Sequence, residues 1–212
     1  MGIVKVILIL IVIIIVGAVG YLGFSYTQLV NGQQKNLGVT YATADYNKAV
    51  KEKAKVEVAN SEGLCLTCAF TTEGSQKVAL TLSDAEISAI QNYSNQAKGP
   101  IKNVQIRFLG GDIAEASFLT NFTYQGQKIN YPIYVKGQVK NTGPKSFGIA
   151  VEKLDAGSMP VPGPIAKRAE TEFIGYVNNI LSGIDGLNVE KIEINNGSVR
   201  FVGNIPTKVS GF

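Results

Sequence analysis

One uninterrupted apolar run dominates the beginning of this chain. No charged residue occurs between Lys5 and Lys35, and the run Val6–Leu22 consists almost entirely of isoleucine, valine and leucine. An α-helix rises about 1.5 Å per residue, so roughly 20 such residues cross a hydrocarbon core of about 30 Å. A core helix that borders water would show a polar face, and this run has none. We therefore expect a transmembrane helix in residues 1–26 that contacts the lipid bilayer through residues 3–24.

A cleaved signal peptide is the competing interpretation of the same run. The small residues Gly17, Ala18 and Gly20 resemble those that precede a cleavage site. The apolar run continues beyond them through Leu22 and Phe24, which favours an uncleaved signal anchor.

The orientation of the anchor follows from weaker signals. Only Lys5 and the amino terminus mark the inner side, and the five lysines at positions 35–55 oppose export under the positive-inside rule. The low-charge stretch Gln28–Gln34 beside the membrane favours export. We expect a single-pass protein of the cell membrane whose C-terminal domain lies outside the cytoplasm.

The composition excludes several kinds of chemistry. The 212 residues include no histidine, so imidazole metal ligands and Ser-His-Asp or Cys-His nucleophiles are excluded. The carboxylates show no spacing that demands a catalytic pair, and we expect no enzyme, no cofactor and no metal site. Ser-Lys, threonine and carboxylate chemistry remain as alternatives. The chain has three arginines among 20 dispersed basic residues, which argues against nucleic-acid binding.

We divide the chain into the anchor (1–26), a juxtamembrane segment (27–60) and one globular domain (61–212). In the juxtamembrane segment Thr43 or Asp45 is placed to cap a short helix. Tyr46, Ala49, Val50 and Lys53 recur in it at helical spacing. Its charged residues predict a solvated face, with a lipid-headgroup role as the alternative. They are Lys48, Lys51, Glu52 and Lys55.

Cys65 and Cys68 are the chain's two cysteines. They are too few for a four-ligand zinc site, and the alternating strands and helices of a thioredoxin-like motif are missing. In an oxidising compartment we expect a local disulfide. A reduced structural pair and a redox role are the alternatives.

The segment Val78–Ala97 carries the sharpest local signal. A short strand, Val78–Leu82, leads into Ser83-Asp84-Ala85-Glu86, which matches a capping box at a helix start. The helix that follows places Ile87, Ile90 and Tyr93 or Ser94 on one stripe, and Gly99-Pro100 ends it.

From Ile101 onward the apolar period becomes two, which predicts an antiparallel meander. Gly110-Gly111-Asp112 and Gln125-Gly126-Gln127 are its turns. In the second strand Ala114, Ala116, Phe118, Thr120 and Phe122 share one face, whereas Glu115, Ser117 and Asn121 share the other. Phe147–Leu154 forms the fourth strand.

A proline-rich loop, residues 157–164, separates the meander from a long helix. The loop's prolines predict that Pro160 and Pro162 take part in no strand ladder. The helix, Ile165–Leu181, begins after Pro164 and carries a broad apolar stripe. A closing hairpin follows, in which Asn195-Asn196-Gly197 predicts a type I′ turn.

Three strings within Leu80–Pro206 are similar to motifs of a known superfamily: LTLSDAEISAI, MPVPGPIAKRAETEFIGYVNNIL and IEINNGSVRFVGNIP. The chain resembles membrane-anchored bacterial proteins related to the tubular lipid-binding (TULIP) superfamily. The resemblance implies an α+β fold in which a curved antiparallel sheet wraps a long amphipathic helix and leaves an apolar groove for acyl chains. One module cannot form the two-fold tube of the larger members.

The functional hypothesis is therefore a membrane-anchored, extracytoplasmic protein that binds a lipid or other amphiphile in an apolar groove. The first alternative is a non-enzymatic structural or assembly partner of a cell-envelope complex, with an envelope protein as its partner. For each groove residue, the alternative is that its side chain fills an ordinary core. The expected ligand-binding residues are Ile87, Ile90, Phe118, Tyr131, Phe173, Tyr176, Val177 and Ile180.

Overall fold

The computed structural model describes residues 32–59, 71–94, 101–120, 122–124 and 127–210, the short strands at 122–124 and 127–129 by their backbone alone. The expected anchor, the cysteine pair, Asn121 and the helix stop at Gly99-Pro100 lie outside the described residues. Within the described ranges, no helix combines the length and the apolar character needed to cross a membrane.

The described chain is α+β and mostly strand. Helix α1 (Thr43–Asn47) continues as a π-helical turn (Lys48–Lys53), and α2 spans Asp84–Ser94 and α3 Gly163–Ser182. The strands are β1 (Glu57–Ala59), β2 (Thr71–Glu73), β3 (Gln76–Ser83), β4 (Ile101–Gly110), β5 (Ile113–Thr120), β6 (Phe122–Tyr124), β7 (Gln127–Ile129), β8 (Pro132–Gly143), β9 (Ser146–Ala156), β10 (Met159–Pro160), β11 (Asn188–Asn195), β12 (Ser198–Ile205) and β13 (Lys208–Ser210).

The strands form separate open sheets. The largest is the expected antiparallel meander, with strand order β10-β9-β8-β5-β4. A second antiparallel sheet has the order β11-β12-β3, and a third has the order β1-β13-β2, in which β1 and β13 are parallel. The expectation of an α+β domain built on antiparallel sheet is confirmed at this level.

The second meander strand is shorter than expected. Strand β5 ends at Thr120 because the Tyr131 amide donates to the Thr120 hydroxyl (2.9 Å) while the Thr120 amide donates to the Tyr131 carbonyl (2.8 Å). These bonds close the connection to β8. The residues between them form a separate two-stranded hairpin, β6–β7.

The hairpin β11–β12 joins the two larger sheets at its turn. The Gly197 amide donates to the Phe108 carbonyl of β4 (2.9 Å), and the Asp84 amide of α2 donates to the Gly197 carbonyl (3.2 Å). The expected hairpin is confirmed, but the prediction that its turn is of type I′ is wrong. Gly197 has φ of +76°, whereas Asn196 is not among the residues with positive φ. Contacts with β4 and α2 override the local preference of Asn-Gly.

The predicted capping box is confirmed at the start of α2. The Ser83 amide donates to Glu86 Oε2 (2.8 Å), and the Glu86 amide donates to Ser83 Oγ (3.2 Å). Glu86 is 2% exposed, and Lys53 donates to its Oε2 at 2.7 Å. The π-helical turn after α1 is therefore tied to α2 by an ion pair whose carboxylate is buried. The charged face expected to be solvated is exposed at Lys48, Lys51, Glu52 and Lys55.

Helix α2 lies along the free edge of β4. Its polar residues Asp84, Ser88 and Asn92 accept from the amides of Phe108, Ile106 and Val104 at 2.9 Å each. Four helical residues rise about 6 Å and two strand residues about 6.7 Å, so the two periods match. A polar stripe on the helix thus takes the place of a neighbouring strand.

Helix α3 lies along β9 at the other side of the same sheet. Asn178 both accepts from the Phe147 amide (2.9 Å) and donates to its carbonyl (3.0 Å), and Glu170 accepts from the Val151 amide (2.9 Å). The predicted helix after Pro164 is confirmed. The expectation that Pro160 takes part in no ladder is wrong, because β10 pairs Pro160 with Asp155. A proline fits there since β10 is an edge strand.

Candidate functional site

The five-stranded sheet has one polar and one apolar face. Residues directly opposite one another on neighbouring strands project from the same face. One row across β4, β5, β8 and β9 is polar: Gln105, Ser117, Tyr134 and Asp155. The adjacent row is apolar: Ile106, Ala116, Val135 and Leu154.

The polar face is covered by residues 32–38, which we call the strap. The Leu37 amide donates to Gln105 Oε1 (2.7 Å), and Arg107 donates to the Leu37 carbonyl (3.0 Å). Leu37 itself is 2% exposed. Gln34 donates to the Asn103 carbonyl at 2.7 Å. The strap is therefore held across the sheet by side chain to backbone hydrogen bonds.

A buried carboxylate, Glu115, lies beneath the strap. Arg107 Nε donates to Glu115 Oε1 at 2.5 Å, and the Tyr134 hydroxyl donates to Oε2 at 2.7 Å. Burial and the bond to Glu115 raise the pKa of Tyr134. Lys35 Nζ lies 3.5 Å from the centroid of the Tyr134 ring. The charge of Glu115 is thus compensated by groups from the strap and from both neighbouring strands.

Sequence reasoning separated the faces of β5 but did not identify the polar face as buried. Glu115 is 4% exposed and Ser117 0%, whereas Ala114 and Ala116 are only half-buried. The available signal was the turn after Gly110, which places Arg107 directly opposite Glu115. Opposite charges at such a position indicate a pair. The strap that buries the pair is distant in sequence and gave no signal.

Part of the apolar face, by contrast, remains half-open. Its row Ile106, Ala116, Val135 and Leu154 is half-buried throughout. The apolar row Ile192, Phe201 and Leu80 of the sheet β11-β12-β3 is half-buried as well. The largest fully buried side chains of the described residues are polar: Glu86, Ser88 and Ser117.

Helix α3 adds a further half-open apolar surface. Its stripe residues Ile165, Ala169, Tyr176, Val177 and Ile180 are half-buried. Phe173 is 44% exposed and meets Phe147 edge to face, with ring centroids 6.4 Å apart. The buried residue of this 20-residue helix is Glu170 rather than an apolar one.

A depression of about 280 Å³ lies between β9, β10 and the first turns of α3. This volume is just below the roughly 300–1,000 Å³ of typical ligand pockets. It therefore suits a segment of an acyl chain better than a whole lipid. Its lining is Val151, Glu152, Lys153, Leu154, Pro160, Val161, Gly163, Ala166, Lys167 and Glu170.

Glu170 is the buried charge of this depression. Burial alone would raise the pKa of its carboxyl, but the Lys167 ammonium and the Val151 amide outweigh burial and lower it. The carboxyl is therefore ionised at neutral pH, paired with Lys167 and bound to the edge of β9.

The structure distributes the expected ligand-binding residues over three places. Phe118 and Tyr131 share one cluster with Ile133, Ala156 and Met159, and Leu154 and Val161 of the depression pack against it. Ile87 and Ile90 lie on α2 at the β4 edge. The other four lie on α3 at the β9 edge, about 14 Å from β4 at normal strand spacing. These are Phe173, Tyr176, Val177 and Ile180. Their ligand-binding role stays a prediction.

Comparisons with known proteins add no assignment. No protein-family model matches the chain, and no curated protein matches it in sequence. Within the described ranges, no three or more acidic or cysteine side chains lie close enough together to hold a metal ion. The half-open apolar surfaces are therefore the feature of the described chain that bears most on its function.

Proposed function

We propose that this protein is a membrane-anchored, extracytoplasmic module that binds a lipid or other amphiphile against its apolar sheet face and α3. The observation that carries the proposal is the incomplete burial of apolar side chains. The largest fully buried side chains are polar, while one apolar row of each of two sheets and the stripe of α3 stay half-buried. Such a surface is energetically incomplete without an apolar occupant.

The energetic reason is the area that remains in contact with water. Burial of apolar surface contributes about 25 cal/mol per Å². A half-buried Val, Ile or Phe side chain has realised only part of the roughly 1.5–3 kcal/mol available on full burial. An acyl chain laid along several such residues would recover the remainder.

We further propose the TULIP-like arrangement for the finer fold, with a curved sheet that wraps α3 and a transmembrane helix in residues 1–26. The hydrogen bonds of Asn178 and Glu170 to β9 support the contact between α3 and the sheet that this arrangement requires. A single module offers room for one acyl chain more readily than for a two-chain lipid.

A structural role in a cell-envelope complex is the second candidate. The exposed ring of Phe173 favours it, since large exposed apolar side chains often mark contacts between proteins. In this case α3 would bind a partner protein through the same stripe.

The test is a bulky substitution on the stripe in the segment 27–212, which lacks the expected anchor and retains every described residue. We expect Val177→Trp to lower the affinity for a fluorescent fatty acid several-fold, because the larger side chain would occupy the space that the ligand needs. The melting temperature should fall by only a few degrees. Asn179→Trp, on the exposed polar face of α3, is the matched control and should leave binding unchanged.

Two results would overturn amphiphile binding. One is wild-type protein that binds no fatty acid and yields no co-purified lipid in native mass spectrometry. The other is loss of folding in Val177→Trp, because overpacking a closed core costs about 1–3 kcal/mol. Either result would favour the partner-binding role.

A further inference from the structure

The start of the strap fixes one end of the domain close to the expected anchor. Gly32 packs backbone to backbone on the β9–β10 turn: a Cβ built on Gly32 would lie 2.5 Å from Gly157 Cα. The expected anchor ends at Tyr26, six residues before Gly32. Six residues span at most about 22 Å when fully extended. The β9–β10 turn therefore lies within that distance of the end of the expected membrane span.

The surface around this turn is formed by residues 157–168, which we call the tip. Pro160, Gly163 and Pro164 are exposed in the tip, and Val161 and Ile165 are half-buried. The tip contains no acidic residue. It thus combines a proline-stiffened segment, residues 157–162, with the first turns of α3, and it carries no charge up to Ala166.

Two cations complete the tip at the first turns of α3. The Lys167 side chain is 72% exposed and reaches Glu170. Arg168 is exposed and has no ion-pair or hydrogen-bond partner in the part of the chain that the structure describes. Apolar residues flanked by cations match the chemistry of a bilayer surface, where acyl chains lie beneath phosphate groups.

The tip also forms one side of the depression. Pro160, Val161, Gly163 and Ala166 belong to both. The apolar part of the depression, lined by Pro160, Val161 and Ala166, borders this surface, so an acyl chain can enter it without passage through water.

We propose that the tip rests on the outer leaflet of the bilayer that holds the anchor, where Lys167 and Arg168 bind the phosphates of anionic phospholipids. This inference rests on the proposed anchored amphiphile-binding function and names the source of its ligand. The docked strap favours this orientation, because it places the start of the described chain, Gly32, against the tip at Gly157.

The experiment measures the distance of two positions from the lipid in the full chain, with Cys65→Ser and Cys68→Ser as background. A fluorophore is attached at Gly163→Cys in the tip, where an added Cβ meets nothing within 4 Å. A second variant carries it at Thr142→Cys, which is exposed at the other end of β8 and β9. Thr142 lies beside Gly148, six strand residues or about 20 Å from Leu154, which lines the depression with Gly163. Both proteins are reconstituted in phosphatidylcholine vesicles with phosphatidylglycerol and a headgroup-quencher lipid.

We expect at least threefold stronger quenching at position 163 than at position 142. Arg168→Glu should lower the quenching at 163 at least twofold, and so should the removal of phosphatidylglycerol. Lys140→Glu is the charge-matched control at the distant end and should change neither value. Circular dichroism confirms that each variant is folded.

Equal quenching at both positions would overturn the membrane-facing tip. Strong quenching at 163 that responds neither to Arg168→Glu nor to phosphatidylglycerol would overturn the role of the cations. Fatty-acid binding by the segment 27–212, measured without vesicles, reports on the proposed function independently. If that segment binds fatty acid but quenching is equal at both positions, the membrane-facing tip is refuted and the proposed function is not.

Discussion

Gly32 is a residue whose identity is set by its surroundings. A Cβ at this position would lie 2.5 Å from Gly157 Cα and 2.9 Å from the Ser158 nitrogen, and both are backbone atoms that cannot move aside. We expect Gly32→Ala to destabilise the domain by about 1–3 kcal/mol, the usual cost of overpacking. Urea unfolding measures this loss, and hydrogen exchange should show faster exchange of the Leu37 amide.

Gly175 is the matched control for Gly32. It lies in the middle of α3, and a Cβ there meets nothing within 4 Å. Gly175→Ala should stabilise the domain by about 0.5–1 kcal/mol, because glycine loses more backbone entropy in a helix. If Gly32→Ala proved as harmless as Gly175→Ala, the strap would not pack on the turn as described.

At the scale of elements, the hydrogen bonds between helices and strand edges make a direct prediction. Asn178→Ala leaves the amide and carbonyl of Phe147 without their partner on α3. An unsatisfied group of this kind costs about 1–3 kcal/mol. Asn179→Ala, one residue along the same helix and exposed, should change stability by less than about 0.5 kcal/mol.

Chemical denaturation of the two asparagine variants checks this prediction. Comparable stability in both would mean that water replaces Asn178 at the β9 edge without loss. The helix would then be held by its apolar contacts alone.

The sequence predicted those elements whose signals are local. Three of them are the capping box of Ser83 and Glu86, the turn after Gly110 and the helix after Pro164. Each depends on residues that lie close together in the sequence. The type I′ turn at Asn196 was wrong because β4 and α2 bind its peptide groups. The preference of Asn-Gly for a type I′ turn is weaker than these tertiary contacts.

The candidate site was less predictable than the elements. An apolar stripe shows which face of a helix is expected to be buried, but not how much of that face the rest of the fold covers. Glu115 resembles a surface residue until the strap, some 80 residues earlier, lies across it. Phe118 and Tyr131 share a cluster only because the Thr120–Tyr131 bonds bring their strands together.

For the whole molecule, buried carboxylates predict how stability depends on pH. Burial would raise the pKa of Glu86, but Lys53 and the Ser83 amide outweigh it, so the pKa lies below its ordinary value. A group with a lowered pKa in the folded state stabilises the fold fully above its unfolded value, about 4.3. This contribution is lost as the pH falls through the folded value. Glu170 behaves in the same way.

We therefore expect stability, measured by urea unfolding, to be level between pH 6 and 8 and to fall below about pH 5. Glu86→Gln should cost about 1.5–3 kcal/mol at pH 7, because it weakens hydrogen bonds to a buried charge. The acid-induced loss should then be smaller than in wild type. Glu172→Gln, an exposed carboxylate on α3, is the control. An unchanged acid profile in Glu86→Gln would contradict the assigned role of Glu86.

The helices along β4 and β9 have a consequence for crowding. Proteins tethered to one bilayer, as proposed here, meet side by side at high local concentration and in similar orientation. An open strand edge would then serve as a template for edge-to-edge polymerisation. On β4 the amides of Val104, Ile106 and Phe108 are already occupied by α2, and on β9 those of Phe147 and Val151 by α3. A neighbouring copy would find no continuous ladder to extend at either edge of the five-stranded sheet, so dense packing on the membrane need not lead to polymerisation through these edges.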